Sequence, residues 1–265
     1  MSTLSPAGAR VFLTGASSGL GAALAQHYAA AGATVGLVAR RADRLEALRA
    51  ALPAAPGISH TVHVADVGDA AAMRAAAAAF TAQAGTPDIV IANAGVSVGT
   101  LTEYAEDLDA FDKVLRTNVL GMVATFQPFL PAMRSRGKGR LVGIASVAGI
   151  RGLPGAGAYS ASKAAAIAYL ESLRVELHGS GLRVCTVAPG YVETPMTAVN
   201  SYPMPFLLPA DEAARRIARV IAAGRSYSVV PWQMGVVAKL LRLLPNACFD
   251  AAFSRAGRKP RGLPL

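Results

Sequence analysis

The chain has 265 residues, 53% hydrophobic and 16% charged, with a formal net charge of +10 and a positive mean hydropathy. That composition excludes a disordered chain, and the length buries a sizeable core without metal or disulfide staples. No apolar run of about 20 residues escapes interruption for a spanning helix, the opening MSTLSPAGAR lacks a secretory leader's layout, and Cys185 and Cys248 make no disulfide framework, so a cytosolic protein is expected.

From the N-terminus, short β-rich runs alternate with longer Ala- and Leu-rich helical runs. Strands are expected over 10–14, 34–39, 59–64, 88–92, 140–144, 182–188 and 228–230, and helices over 19–31, 42–52, 70–84, 108–136, 159–179 and 210–223. Pro128 and Pro131 predict a kink or break in the fourth helix. Near-continuous apolar strands, such as Ile89-Val90-Ile91 and Val184-Cys185-Thr186-Val187, suit a sheet buried on both faces. Strict alternation implies an α/β fold with a doubly wound parallel sheet of about seven strands, helices on both faces. Residues 1–230 form this single domain, and 231–265 a basic helical extension packed on or beside it. Ligands of such a sheet lie beyond the carboxyl ends of its strands.

After the first strand comes Thr14-Gly15-Ala16-Ser17-Ser18-Gly19-Leu20-Gly21, then a helix. Glycines there permit a tight turn and bring a diphosphate close to N–H groups at a helix N-terminus, whose partial positive charge favours an anion. Between a first strand and a first helix, this spacing points to a dinucleotide. No Gly-Lys-Ser/Thr follows, so it is not a P-loop. The second strand ends in Val38-Ala39 with Arg40 and Arg41 following, where a cofactor with a free 2′-hydroxyl calls for a carboxylate. A guanidinium grips a 2′-phosphate, so NADP(H) is expected over NAD(H).

Two polar positions stand out in helices. Asn118 shares the apolar face of Phe111, Val114, Leu115, Met122 and Phe126, and is either a core-bridging amide or a site residue holding a water. Tyr159 and Lys163 stack as i and i+4 on a stripe that continues through Ala166, Ile167 and Leu170. An ammonium beside a phenol favours the phenolate, so a lowered Tyr159 pKa and acid/base work near neutral pH are expected. Ser146, after the fifth strand, joins them at the edge where the glycines lie.

Taken together, residues from about 9 to 231 resemble the short-chain dehydrogenase/reductase family. The resemblance rests on the glycine loop, Asp66 after the third strand, Asn93-Ala94-Gly95 after the fourth, Asn118, Ser146, Tyr159-x3-Lys163, and Pro189-Gly190 with Thr194, in the family's order. Ala92 stands where many relatives have a second Asn. The resemblance implies a Rossmann fold and carbonyl–alcohol chemistry with a nicotinamide dinucleotide. Asn93, Ala94 and Gly95 would support the sheet and contact the adenosine side, and Asp66 and Val67 would border the adenine. Pro189, Gly190, Val192 and Thr194 would hold the nicotinamide end. Ser146 would bond the substrate oxygen, Tyr159 exchange its proton, Lys163 hold the nicotinamide ribose, and Asn118 hold a water linking Lys163 to solvent. Homodimers or homotetramers through the Asn118 and Tyr159 helices are likewise implied. The rival is a non-catalytic dinucleotide-binding sensor or scaffold, for which Tyr159 has no use.

Other residues add less. His60 and His63 point to opposite strand faces and His27 and His178 to helix surfaces, so no metal is expected. Cys185 reads as inert packing. Basic and aromatic residues are not interleaved, which argues against a nucleic-acid partner. The stretch after Thr194, with Met196, Tyr202, Met204 and Phe206, is expected to form an apolar wall with Ile150 and Leu153 around a lipophilic carbonyl or alcohol. Beyond Pro231, the apolar, sparsely basic tail is suited to a membrane surface, a subunit interface or closure of the substrate pocket.

Overall fold

Seven short runs of aliphatic and β-branched residues form the central layer. The computed structural model describes residues 4–53 and 55–263, so the outer ends of the expected 1–230 and 231–265 units lie outside the described residues. The strands are β1 (Arg10–Thr14), β2 (Thr34–Ala39), β3 (Thr61–Val64), β4 (Ile89–Ala92), β5 (Gly139–Ile144), β6 (Leu182–Pro189) and β7 (Tyr227–Val230). All pair in parallel in the order β3-β2-β1-β4-β5-β6-β7. Parallel neighbours need crossovers, so helices cover both faces. The order reverses between β1 and β4, which opens a crevice at their carboxyl ends.

The helices are α1 (Gly19–Ala30), α2 (Ala42–Ala51), α3 (Ala70–Ala84), α4 (Asp107–Leu115), α5 (Gly121–Phe126), α6 (Leu130–Arg136), α7 (Gly157–Glu176), α8 (Pro195–Ala198), α9 (Ala210–Ala222), α10 (Trp232–Leu243) and α11 (Asn246–Phe253). Period-two alternation in β1 divides the core. Val11 and Leu13 pack with Leu24, Leu37 and Ile217 on one face, and Phe12 packs with Phe80, Phe126 and Leu170 on the other. Phe12 meets Phe80 and Phe129 edge-on, with centroids 5.3 and 4.7 Å away.

The expected helix over 108–136 is broken twice. A π-helical turn, Arg116–Leu120, separates α4 from α5. The chain then leaves the helix around Pro128 and restarts as α6, whose first turn holds Pro131, where a missing N–H costs nothing. β3 begins two residues later than expected because the Val35 N–H donates to His60 Nδ1, at 3.2 Å, rather than to a strand carbonyl. α7 opens at Gly157, ahead of Tyr159, and ends at Glu176. Among the described residues, no helix is long and apolar enough to cross a membrane.

Candidate active site

The loop over 14–21 sits against the end of β4. A Cβ on Gly15 would strike the Ala94 backbone and one on Gly21 the Gly15 carbonyl, while Gly19, at φ +54, faces Thr194. Thr14 Oγ1 accepts the N–H groups of Asn93 and Ala94 at 3.2 and 3.3 Å. The Asn93 amide donates to the Thr14 and Gly15 carbonyls at 3.0 and 3.3 Å. Asn93 is therefore a brace beneath the loop, with its amide spent there. Ser18 caps α1 without a side-chain cap bond, and the first turn holds no acidic residue. Its N–H groups are thus left for an external anion.

A cleft of about 390 Å³ follows this loop along the sheet edge. Arg40, Arg41, Asp66 and Val67 line one end, Gly95 the middle, and Pro189, Gly190, Val192 and Thr194 the other. The two arginines are not equivalent. Arg41 donates to Ser17 Oγ at 2.8 Å and Ser18 Oγ at 3.1 Å, whereas Arg40 leans on the Asp66 carboxylate at 3.8 Å. A guanidinium beside two hydroxyls suits a phosphate, so these residues fit a nicotinamide dinucleotide. Thr194 shares its hydroxyl with Thr197 in the capping box of α8 and turns its methyl toward Gly19.

The cleft ends on the polar cluster. Ser146 caps a 3₁₀ turn, Val147–Gly149, its Oγ accepting the Ala148 N–H at 3.1 Å. It lies on the cleft wall together with Tyr159, in the first turn of α7. Lys163, one turn further, is buried and donates to the Ile144 carbonyl at 2.8 Å, with Nζ 5.7 Å from the Tyr159 ring centroid. The expected acidification of Tyr159 is not found: burial pushes its phenol up, and the nearby Ser146 hydroxyl offsets only part. Lys163 points at a backbone oxygen, and burial draws its own pKa down to about 8.

Asn118 lies in the π-helical turn, fully buried. Its amide donates to the Val96 carbonyl at 3.0 Å and Ser162 Oγ at 2.9 Å, and its oxygen accepts the Val96 N–H at 2.8 Å. The side chain bridges Val96 and Ser162. Both amide protons are spent, so any water at this side chain is held by the oxygen alone. Asn118 and Lys163 do not line the cleft; they stand behind Gly95, where an added Cβ would lie 3.2 Å from Asn118 Oδ1 and 3.4 Å from Lys163 Nζ.

A second cavity of about 310 Å³ shares Ser146, Tyr159 and Met196 with the cleft. Leu153, Tyr191 and Tyr202 form part of its wall, and the C-terminal tail contributes Phe253, Gly257 and Lys259. Of the expected wall, Leu153, Met196 and Tyr202 are present. Ile150 and Met204 do not line the cavity, and Phe206, at φ +57, is 49% exposed. Asn200 lines the cavity with a buried Oδ1 that has no hydrogen-bond partner among the described residues. The tail is clamped at two places. Arg151 donates to the carbonyls of Leu241 and Leu244 and lies 3.9 Å from the Phe249 ring centroid. Arg261 pairs with Asp107 at 2.7 Å and stacks 3.4 Å from the Tyr104 ring centroid. Of the three readings of the tail, closure of the pocket is thus built into the fold. No local signal marks Lys259 or Arg261, because their partners lie far away in the chain.

Away from the site, Cys185 is fully buried, its thiol pushed up to about 11, mainly by burial. His60 is bonded to Val35 and to the Pro53 carbonyl, and His63 to Thr61 at 2.8 Å. Among the described residues, no group of three His, Cys, Asp or Glu side chains forms a metal-binding cluster.

A doubly wound sheet with a glycine loop at its switch point is the architecture of dinucleotide-dependent oxidoreductases. Residues 9–203 match the family model described as short chain dehydrogenase, and the chain belongs to the short-chain dehydrogenase/reductase family, oxidoreductases that bind nicotinamide dinucleotides. It is 42% identical to an uncharacterized oxidoreductase of Myxococcus xanthus (strain DK1622) over 92% of this chain and 95% of the relative. Among solved structures it resembles levodione reductase, with a TM-score of 0.76 and 30% identity, over 86% of this chain and 98% of that one. It also resembles L-sorbose reductase from Gluconobacter frateurii, determined with NADPH and L-sorbose, with a TM-score of 0.76 and 25% identity over 84% of this chain and 95% of that one.

Proposed function

We propose that this protein is an NADP(H)-dependent oxidoreductase that interconverts a carbonyl and an alcohol on a small, largely lipophilic molecule. The observation that carries this reading is that Ser146 and Tyr159 both stand on the wall common to the cleft and the cavity. One side of that wall faces the dinucleotide groove and the other a mostly apolar chamber of substrate size. Preference for NADP(H) rests on Arg41 with Ser17 and Ser18, and the NADPH held by the L-sorbose reductase neighbour agrees with it.

In this reading the first turn of α1 holds the diphosphate, Arg41 the 2′-phosphate, and Gly190, Val192 and Thr194 the nicotinamide end. The bound nicotinamide supplies or takes up the hydride. Ser146 holds the substrate oxygen, and Tyr159 gives it a proton in reduction or removes one in oxidation. A raised phenol pKa leaves Tyr159 protonated at neutral pH, which suits the donor in reduction. Lys163 would reach the ribose only by leaving the Ile144 carbonyl; as placed, its charge favours the phenolate once that proton has left. Apolar walls exclude water, and Asn118 braces Val96 against α7 to keep the cluster in place.

The test is NADPH oxidation against a panel of ketones and aldehydes, with wild type beside Tyr159→Phe. Loss of a general acid lowers turnover by about 10²- to 10⁴-fold, with NADPH affinity retained. Equal turnover by both proteins would favour the rival reading of a dinucleotide-binding sensor or scaffold. The reading includes a cytosolic homodimer or homotetramer assembled through α4, the π-helical turn and α7, where Leu108, Leu120 and Val175 are exposed. It also includes peripheral membrane contact through α10.

A further inference from the structure

The tail brings one ammonium group to the wall of the cavity, and among the described residues nothing there balances its charge. Lys259 is only 7% exposed and lines the cavity together with Ser146 and Tyr159. Its Nζ donates to the Met196 carbonyl at 2.8 Å, and among the described residues it enters no ion pair. The nearby Arg261 has its carboxylates in Asp107 and Glu106. Leu153, Pro154, Tyr191, Tyr202 and Phe253 supply no counter-charge. An ammonium has three donors, so two remain beyond the Met196 bond. Burying them unpaired is unfavourable, and burial lowers the Lys259 pKa to about 8.

The position is a built one. The Gly99 N–H donates to the Pro260 carbonyl at 2.9 Å, and a Cβ on Gly99 would strike the Lys259 carbonyl. Arg261 pins the next turn of chain to α4. The backbone on either side of Lys259 is thus held, and its side chain reaches the same chamber as the reacting pair.

We propose that the cavity takes substrates bearing a carboxylate, an oxo acid or the matching hydroxy acid, and that Lys259 recognises that anionic end. This deepens the carbonyl–alcohol reading and rests on it. The carboxylate supplies the missing counter-charge, while the apolar wall holds the carbon skeleton between Lys259 and Tyr159. A lysine that served only to fasten α8 through Met196 would show no preference for charge.

The full-length protein, saturated with whichever of NADP⁺ and NAD⁺ binds tighter, is titrated with benzoate and hexanoate and, separately, with benzamide and hexanamide, with binding followed by thermal shift. None of the four is reducible by hydride transfer, so the readout does not depend on turnover. Wild type is expected to bind the acids roughly 10- to 100-fold more tightly than the amides, the scale of a hydrogen bond to a charged group. Lys259→Gln, which keeps an N–H for Met196 but no charge, abolishes that preference, and Lys259→Arg restores it. Equal binding of acids and amides by wild type, or an undiminished preference in Lys259→Gln, overturns the proposal. The two readings fail separately. If acids bind through Lys259 but Tyr159→Phe reduces carbonyls as wild type does, only the catalytic reading falls. If Tyr159→Phe is inactive but acids and amides bind alike, only the anion site falls.

Discussion

Arg40 and Arg41 are adjacent in the chain and meet opposite environments. Arg41 lies over the Ser17 and Ser18 hydroxyls, and Arg40 is turned to Asp66. Arg41→Asp is therefore expected to weaken NADPH binding by roughly 10-fold or more, the scale of a charged hydrogen bond, with little effect on NADH. Arg40→Asp has the smaller effect. Fluorescence titration with both cofactors checks this, and an unchanged preference in Arg41→Asp would remove the assignment. Lys163 permits a prediction about pH. Its pKa falls from an ordinary 10.5 to about 8 on folding. Between those values the unfolded chain holds a proton that the folded chain has lost, so this group makes stability rise with pH from about 8 toward 10. Across that window the slope of melting temperature against pH should be more positive for wild type than for Lys163→Met, while buried Cys185 acts in the opposite sense in both. Lys259, drawn down in the same direction, leaves part of the slope in that variant. Identical slopes would show that Lys163 is not perturbed.

At the scale of elements, a helix that reads as continuous is divided by a π-helical turn, and that turn carries Asn118 to Val96 and Ser162. Interruptions of this kind often mark functional sites, and no side-chain pattern announced this one beyond a polar residue on an apolar face. The tail depends on a clamp between Arg261 and the start of α4. The Asp107 carboxyl lies below the ordinary carboxylate range because Arg261 donates to it, aided by the Leu101 N–H. Arg261→Ala should release the end of the tail and loosen the wall of the substrate cavity. The expected result is a KM for carbonyl substrate raised by roughly tenfold, again the scale of one charged hydrogen bond, with cofactor affinity unchanged and faster proteolysis beyond α11. A KM equal to that of wild type would show that the clamp does not shape the pocket.

For the whole molecule, the question is what the surplus positive charge meets. Part of it is neutralised locally: Arg215 and Arg216 are paired with Asp211 and Glu212 along α9. The face of α10 is different. Trp232, Val236, Leu240 and Leu243 are exposed at helical spacing, with Lys239 and Arg242 on the same helix. In the proposed reading this stripe meets an anionic bilayer surface. The intact protein is expected to float with vesicles containing phosphatidylserine, and Trp232→Glu with Leu240→Glu to abolish this. Failure of the intact chain to float ends the membrane reading and leaves the stripe to a subunit contact, which light scattering would show as an oligomer dissociated by the same substitutions.

The order of strands and helices, the glycine loop and the Tyr159–Lys163 pair were legible in the sequence. Each depends on the spacing of residues within one element or at one junction, and backbone periodicity alone decides which side chains share a face. Three things were not legible: which arginine joins the serines, where the Lys163 ammonium points, and that Lys259 is the tail residue whose charge reaches the cavity. Each is a contact between segments far apart in the chain, and local patterns do not encode such meetings. The reversal of Tyr159's expected pKa shift has the same origin. Proximity along α7 predicted an acidic phenol, but the burial imposed by the surrounding elements was the larger effect, and only the assembled structure sets how far each group is removed from water.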